Sequence, residues 1–581
     1  MVLNDKSAVV KALRDMGMLK QIKGENSFKT RAYDIAADRI AGLADDIGEL
    51  VEKGTLTDLP GIGESIAAKI TELVQTGKIA ALEELRAEYP PGVLELLKVP
   101  ELGPKKAKIL FEELKIGSIE ALEAACKAQK IRGLKGFGLK TEEKLLAGIE
   151  VAKRASSGSR RRLSEVLPKA RAFLEHIRQA PGVVRASLGG SVRRMRETVG
   201  DIDMIVSAPD PKPVFDRLTS MPNVAQVIGQ GESKASVRLF DSHGDLQVDL
   251  RVLPDEDFAT ALHHFTGSKA HHIRLRGMAI EKGLKISEWG VHRGEEKLPV
   301  PTEEKIYELL GMQPVPPELR EDWGEVEAAL EGRLPKDLIT AEDITGNVHA
   351  HTTWSDGRNS LEEMAQTAIS MGLKFLTVTE HSQTAGYAGG LKEDDLKRQW
   401  DEIDAVNEKL AGKLKLLKGV ESDILEDGRL DYPDAFLAKL DVVICSIHQR
   451  HSQNEDQMTK RILAAFDNPF FQIWGHPTGR LLLKREPAPM RMEEILDKAA
   501  TRGITIEING APERLDLSAE HVRLALQRKL KLVVSTDAHS IDELRENLVY
   551  GIGTARKGWA RKTDILNAGS AADFRAALRP H

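Results

Sequence analysis

Gly190-Ser-Val-Arg-Arg-Met-Arg-Glu-Thr-Val-Gly-Asp-Ile-Asp203 is a glycine-serine-arginine loop ending in two aspartates one residue apart. The segment Asp201–Val206 reads as a strand, and strand side chains alternate between faces, so Asp201 and Asp203 point the same way. Downstream, Ala235–Phe240 and Leu246–Leu253 read as a hairpin across an Asp-Ser-His-Gly turn, whose second strand can bring Asp249 beside the first pair. Three carboxylates on adjacent strands suit two Mg²⁺ or Mn²⁺ ions about 3.5–4 Å apart, the arrangement for in-line displacement at phosphorus. The loop supplies a cradle for the electrophile. Gly189 and Gly190 let the backbone approach a triphosphate, Ser191 offers an N–H and a hydroxyl, and Arg194 is placed for a non-bridging phosphate oxygen. A bare Asp-x-Asp is more often a turn with solvated arginines; the whole run plus a later strand aspartate argues against that reading.

Working outward, 581 residues exceed one domain, and 41% hydrophobic with 30% charged residues fit a water-soluble globular chain. Neither a bilayer-length apolar run nor a secretory leader is expected. The two cysteines, Cys126 and Cys445, exclude a disulfide framework and point to a reducing cytoplasm. A net charge of −6 argues against a chain coated in nucleic acid but leaves room for a local basic channel.

Residues 1–155 read as helical, interrupted by three similar turns: Leu59-Pro-Gly-Ile-Gly63, Val99-Pro-Glu-Leu-Gly103 and Leu134-Lys-Gly-Phe-Gly138. This is the helix-hairpin-helix pattern. Gly61, Gly63, Gly103, Gly136 and Gly138 permit tight turns whose backbone N–H groups face a DNA phosphate at a helix N-terminus. A Ser/Gly/Arg stretch at 155–162 reads as a linker, 163–255 as the nucleotidyl-transfer domain, 256–320 as a mixed subdomain, and the proline-rich, acidic 321–345 as a second linker.

Residues 346–581 change character. Short apolar strands alternate with amphipathic helices, which argues for parallel β/α units. Strands are expected at 347–351, 375–381, 415–422, 442–448, 473–476, 505–509 and 530–539, most ending in a metal-capable side chain. Active sites of β/α barrels sit at strand C-terminal ends. The expected ligands are His349, His351, Asp356, His381, Glu421, His448, His476, Asp537 and His539; His451 and His521 fall at no strand end. This mixed nitrogen and carboxylate set suits two or three Zn²⁺, Mn²⁺ or Fe²⁺ ions better than Mg²⁺, and a phosphoester is the natural substrate.

With these pieces together, the chain resembles a bacterial family X DNA polymerase carrying a C-terminal PHP (polymerase and histidinol phosphatase) domain. The resemblance runs nearly end to end and rests on the 190–203 run, Phe265-Thr-Gly-Ser-Lys269, Val348-His-Ala-His-Thr352, Gly475-His-Pro477 and Ser535-Thr-Asp-Ala-His539. It implies a multidomain α+β and α/β protein. An 8-kDa-like DNA-end-binding domain (1–85) and helix-hairpin-helix fingers (86–155) precede a palm with mixed β-sheet (163–255). A small thumb (256–320) and a distorted (β/α)7 PHP barrel (346–581) follow.

The resemblance implies that Asp201, Asp203 and Asp249 hold the polymerase metals. Ser191, Gly200 and Arg194 would contact the triphosphate, and Phe265 and Gly267 would flank the incoming nucleotide. The nine barrel residues would form a trinuclear set. The implied activities are gap filling in base excision repair and a PHP-borne 3′→5′ exonuclease, with AP-endonuclease or 3′-end cleaning in some relatives. Gapped or primed DNA and dNTPs would be the partners of a monomer without membrane contact.

Several positions depart from the family pattern. His264 stands where animal members carry Tyr, His272 where Asn is common, Glu380 for the usual Asp, and Asn347 for another Asp. Lys69 occupies the place of the animal enzymes' Schiff-base lysine, with Lys29 and Tyr33 matching the same 5′-end pocket, but Ser65 and Phe28 replace basic residues there. Two other functions compete: a different nucleotidyltransferase fused to a small-molecule phosphatase, and a DNA-end scaffold whose PHP domain is structural. The three hairpin turns speak against the first, and the filled ligand positions against the second.

Overall fold

A computed structural model describes the chain except for residues 1–5, 42–46, 60, 91, 98, 100–101, 135, 140, 143, 147, 150–159, 242–243 and 579–581. It divides into two compact units, Met1–Ser159 and Arg160–His581.

The first unit is helical. Lys6–Lys23, Ser27–Ala41, Glu64–Thr76 and Ala80–Glu88 enclose one core around Leu13, Met16, Ile40 and Ile70. A second core around Leu110, Leu122 and Ile149 includes the helices Pro104–Leu114 and Ile119–Lys127. The three glycine turns share one hydrogen bond: Ile62 N–H to Leu59 O at 3.1 Å, Leu102 to Val99 at 3.1 Å, and Phe137 to Leu134 at 3.0 Å. In each, the apolar residue is buried as a plug, and the next glycine begins a helical turn. Gly61 and Gly136 hold φ of +92° and +87°, where an L side chain is strained.

The second unit begins with a five-stranded sheet in the order Arg185–Leu188, Asp201–Ser207, Gly244–Leu253, Lys234–Asp241, Val224–Gln230. Asp201–Ser207 and Gly244–Leu253 run parallel; the other pairs are antiparallel. Ile202, Met204 and Val206 turn into a core with the helices Leu163–Arg178 and Lys212–Thr219, which leaves Asp201 and Asp203 on the opposite face. Two helices, Phe258–Thr266 and Lys269–Glu281, and a three-stranded antiparallel sheet follow.

The segment 321–345 is not a linker. It contains the helix Glu325–Leu330, and Val326, Ala329, Leu334 and Leu338 are buried with Leu275, Ile306 and Leu310. Two of its acidic residues point inward: Glu325 is fully buried and accepts a 2.6 Å hydrogen bond from His271, and Glu321 accepts one from Lys557 at 2.8 Å, while Glu331, Asp337 and Glu342 stay exposed. Acidity was misleading because those charges meet buried partners rather than water.

Seven parallel strands follow in sequence order, from Gly346–Asn347 to Leu532–Ser535. A bridge between Ala350 and Ala538 brings the first and last strand ends together, nearly closing a barrel. Five of the strands are shorter than expected: they stop at Asn347, Val378, Ser446, Trp474 and Ser535, so that His349, His351, His381, His448, His476, Asp537 and His539 follow the ladders. Lys415–Asp423, by contrast, runs past Glu421, and Thr505–Asn509 has the expected bounds.

Candidate active sites

On the palm sheet, Asp203 and Asp249 are register partners across the parallel pair, and Asp201 stands opposite Gln247. Burial and the neighbouring Asp201 and Asp249 push the Asp203 carboxyl up to about 7. Burial and Asp249 also raise Asp201. Asp249 goes the other way: burial opposes its charge, but hydrogen bonds from Lys234 (2.6 Å), Gln247 (2.9 Å) and Ser236 hold it down. Three close carboxylates whose charge is incompletely compensated make a cation-seeking edge.

Gly190 sits directly under this edge with φ +57°, and a Cβ there would come within 2.1 Å of Asp203 Oδ2. The loop can carry only glycine at this point. Ser191 is half-buried in the short helix Gly190–Arg193, and Gly200 is half-buried just before the strand. Arg194 donates to the Thr266 carbonyl and, at 3.1 Å, to Glu321. Gly267 is matched to it: a Cβ at Gly267 would lie 2.9 Å from Arg194 Nη1. Phe265 is stacked under the Arg251 guanidinium at 4.1 Å. His264 Nδ1 and His272 Nε2 share a hydrogen bond at 3.0 Å. Burial lowers both rings, His272 to about 3, so the pair is neutral near pH 7.

At the barrel mouth all nine predicted residues converge. Three overlapping sets have ligand atoms within 4.8 Å of one another: His351, Asp356, His381 and His539; His349, His351 and Glu421; and His381, Glu421 and His448. His476 Nε2 joins Glu421 at 2.8 Å, and Asp537 Oδ1 lies 3.4 Å from His349 Nε2 and 3.3 Å from His351 Nε2. Burial opposes charge on these imidazoles. Even so, Glu421 and Asp356 lift His381 to about 10, and Asp356 and Asp537 lift His539 to about 9. His351, buried and facing the rings of His539 and His381, falls to about 3. His349 Nε2, His351 Nδ1 and Nε2, His381 Nδ1, Glu421 Oε2 and His448 Nε2 are buried without a hydrogen-bond partner. Lone pairs left bare in this way, in a mixed nitrogen and carboxylate set, fit divalent metals. Among the described residues, His451 and His521 join none of these sets.

In the helical unit, the Lys69 ammonium donates to the carbonyl (2.9 Å) and hydroxyl (3.0 Å) of Ser65 one turn back. Tyr33 is buried, with Lys20 Nζ 6.0 Å from its ring centre. The Lys29 side chain lies outside the described residues.

Comparison with known proteins agrees with this layout. Residues 4–79 match the helix-hairpin-helix domain family and 93–150 the SAM-like helix-hairpin-helix tandem. Residues 261–321 match the DNA polymerase beta thumb and 347–511 the PHP domain. The DNA polymerase/3′-5′ exonuclease PolX of Bacillus subtilis is 39% identical over 99% of both chains. The chain is a PHP-bearing family X DNA polymerase. Rat DNA polymerase lambda is 27% identical over 46% of this chain and 48% of its own. A probable phosphatase of Thermoanaerobacter is 31% identical over 33% of this chain and 78% of its own.

Around its two sites the family X polymerase carries supporting residues that sequence reasoning missed. Glu507 is fully buried and accepts from His349 Nδ1 (2.7 Å), Ser535 Oγ (2.6 Å) and His476 N–H (2.6 Å). Asp423 takes the Nδ1 hydrogen of His448 at 2.5 Å. Tyr387, 70% exposed, stands at the rim with its ring 6.4 Å from those of His381 and His448. The signal for Glu507 was a charged residue within an otherwise buried strand, Thr505–Asn509. The signal for Lys234 was its place in the hairpin, two residues from Ser236, the cross-strand partner of Asp249.

Both unusual residues of the barrel also have roles here. Glu380 is taken up by Thr352 N–H (3.1 Å) and Oγ1 (2.5 Å), Ser355 Oγ and Gln399 Nε2 (2.9 Å), and pins the loop between His351 and Asp356. Asn347 donates to His349 O at 2.8 Å and accepts from Thr536 N–H at 3.0 Å, tying the first strand end to the last.

Proposed function

We propose that the chain fills short gaps in DNA during base excision repair and trims 3′ ends with a separate PHP-borne nuclease. The observation that carries the reading is the presence, in one compact unit, of two distinct metal-ready clusters: the palm carboxylates and the nine-residue barrel mouth. The Bacillus relative, which aligns along the whole chain, is named for both activities. The likeness to a probable phosphatase covers only a third of this chain, so it does not speak to the protein's overall role.

In this reading Asp201, Asp203 and Asp249 hold Mg²⁺ or Mn²⁺, which when bound lower the pKa of the primer hydroxyl and support the leaving pyrophosphate. Gly190, Ser191, Gly200 and Arg194 receive the triphosphate. Phe265, Gly267, His264 and His272 bound the sugar and base. The neutral His264–His272 pair gives the nucleotide an uncharged polar wall in place of a tyrosine. In the barrel, His349, His351, Asp356, His381, Glu421, His448, His476, Asp537 and His539 hold two or three Zn²⁺, Mn²⁺ or Fe²⁺ ions, with AP-endonuclease or 3′-end cleaning as further outlets. The turns at Gly61/Gly63, Gly103 and Gly136/Gly138 grip phosphates without reading sequence, and the family resemblance assigns Lys69, Lys29 and Tyr33 to the 5′-end pocket.

The test is a 5′-labelled primer facing a short gap with a 5′-phosphate, incubated in Mn²⁺ with and without dNTPs. Extension with dNTPs and shortening without them are expected. Asp203→Ala should abolish extension and leave shortening, and His349→Ala the reverse. Loss of both activities in each folded variant would refute the two-site reading.

A further inference from the structure

The helix Ile541–Lys557 starts two residues after His539 and runs from the barrel mouth to the palm. Near its N-terminus, Glu543 accepts the His539 backbone N–H at 2.7 Å. Midway, Gly551 lies against the barrel strands, where a Cβ would come within 2.9 Å of Val534. Two residues on, Gly553 is pressed against the palm loop, where a Cβ would meet Met195 Cε at 2.7 Å. Tyr550 is buried in the palm core.

At its C-terminal end, Lys557 is 3% exposed. Its ammonium donates to Glu321 Oε1 at 2.8 Å and to the Glu318 carbonyl at 3.1 Å. Glu321 Oε1 also accepts from Arg194 Nε at 3.1 Å, and Arg196 lies 3.5 Å from Oε2. Thus one buried carboxylate is shared by three cations. One comes from a barrel helix and the other two from the triphosphate loop. Burial opposes the Glu321 charge, but Lys557 and Arg194 hold its carboxyl below the usual range.

We propose that Lys557, although part of the barrel, is a positioning residue of the polymerase site: by sharing Glu321 with Arg194 it sets how strongly that arginine is held back from an incoming triphosphate. The proposal rests on Arg194 being a triphosphate contact. With Lys557 present, the carboxylate is already satisfied, and the guanidinium keeps both field and freedom for phosphate. With Lys557 removed, Glu321 is balanced by the two arginines alone. A desolvated carboxylate then binds Arg194 more tightly and cancels more of its charge. Asp201, Asp203 and Asp249 are untouched, so the loss falls on nucleotide binding and not on the chemical step.

The experiment measures kcat and KM for a dNTP in single-nucleotide gap filling with the full chain. Lys557→Met should raise KM about tenfold with kcat within about twofold, the pattern of lost ground-state binding. Lys557→Arg, which restores the cation, should return KM toward wild type. Nuclease activity on single-stranded DNA without dNTPs should be unchanged and reports folding. Lys557→Gln, which keeps a donor for the Glu318 carbonyl, takes the place of Lys557→Met if the latter does not fold. Arg194→Met separates the two claims. A raised KM there with an unchanged KM in the Lys557 variants overturns the positioning role alone. An unchanged KM in Arg194→Met overturns the triphosphate reading beneath it.

Discussion

Replacing Glu507 by Gln should cripple the barrel site through a residue that is not itself a proposed ligand. Both carboxylate oxygens are in use as acceptors. Oε1 takes His349 Nδ1–H at 2.7 Å and Ser535 O–H at 2.6 Å; Oε2 takes His476 N–H at 2.6 Å and an Asn509 amide hydrogen at 3.2 Å. A carboxamide has one acceptor oxygen and one donor nitrogen, so one side must fail. If the oxygen stays with His349, the His476 N–H faces a donor, and a buried unsatisfied N–H costs about 1–3 kcal/mol. If the amide turns, His349 must accept at Nδ1 and carry its hydrogen on Nε2. That atom lies 3.5 Å from Glu421 and 3.4 Å from Asp537, and its lone pair is the one a metal needs. Either way, metal affinity should fall about 10–100-fold, equivalent to about 1.4–2.7 kcal/mol. Mn²⁺ titration of nuclease activity, with chelator competition on the metal-loaded protein, reads the shift directly. Gap filling by the same sample should stay within about twofold of wild type. A half-saturating Mn²⁺ concentration equal to wild type would show that Glu507 only fills space.

Three further outcomes follow from the palm and thumb. Gly190→Ala forces a side chain into φ +57° and onto Asp203 Oδ2, so synthesis should drop about 100-fold while nuclease activity persists; gap-filling rates check this. Because the Asp203 carboxyl sits at about 7 before metal binds, its proton competes with the cation. The Mg²⁺ needed for half-maximal synthesis should therefore rise as pH falls below 7 and level off above 8, and the apo fold should gain stability as pH drops through 7. A pH-independent Mg²⁺ requirement between 6 and 8 would contradict this. For Glu303, burial opposes charge but Arg193 and Arg320 outweigh it and depress its pKa, so its stabilisation is present above about pH 4.3 and lost as pH falls. Glu303 is 11% exposed, and Glu303→Gln, which leaves Arg193 and Arg320 short of a partner, should cost about 3 kcal/mol in urea unfolding at pH 7.

The strand with two aspartates, the hairpin carrying Asp249 and the seven-strand barrel were legible because strand alternation and strand-end placement are local properties of the sequence. The three turns were legible because glycine marks the backbone positions that need it. What escaped was non-local. Lys234 and Glu507 become meaningful only once register and barrel closure bring them to Asp249 and His349. The acidic stretch 321–331 was misread because nothing in its own sequence shows that His271, Arg194 and Lys557 wait for Glu325 and Glu321.

The burial of Tyr550 and Leu515 in the palm core also bears on biosynthesis. The last strand of the palm sheet ends at Leu253, but the side chains that close the core are translated about 300 residues later, on the order of tens of seconds at typical ribosome speeds. During that interval the palm presents an open apolar face on the nascent chain. A chain truncated after the thumb would leave exposed the part of the palm core that Leu515 and Tyr550 cover, and is expected to unfold at lower urea than the full chain.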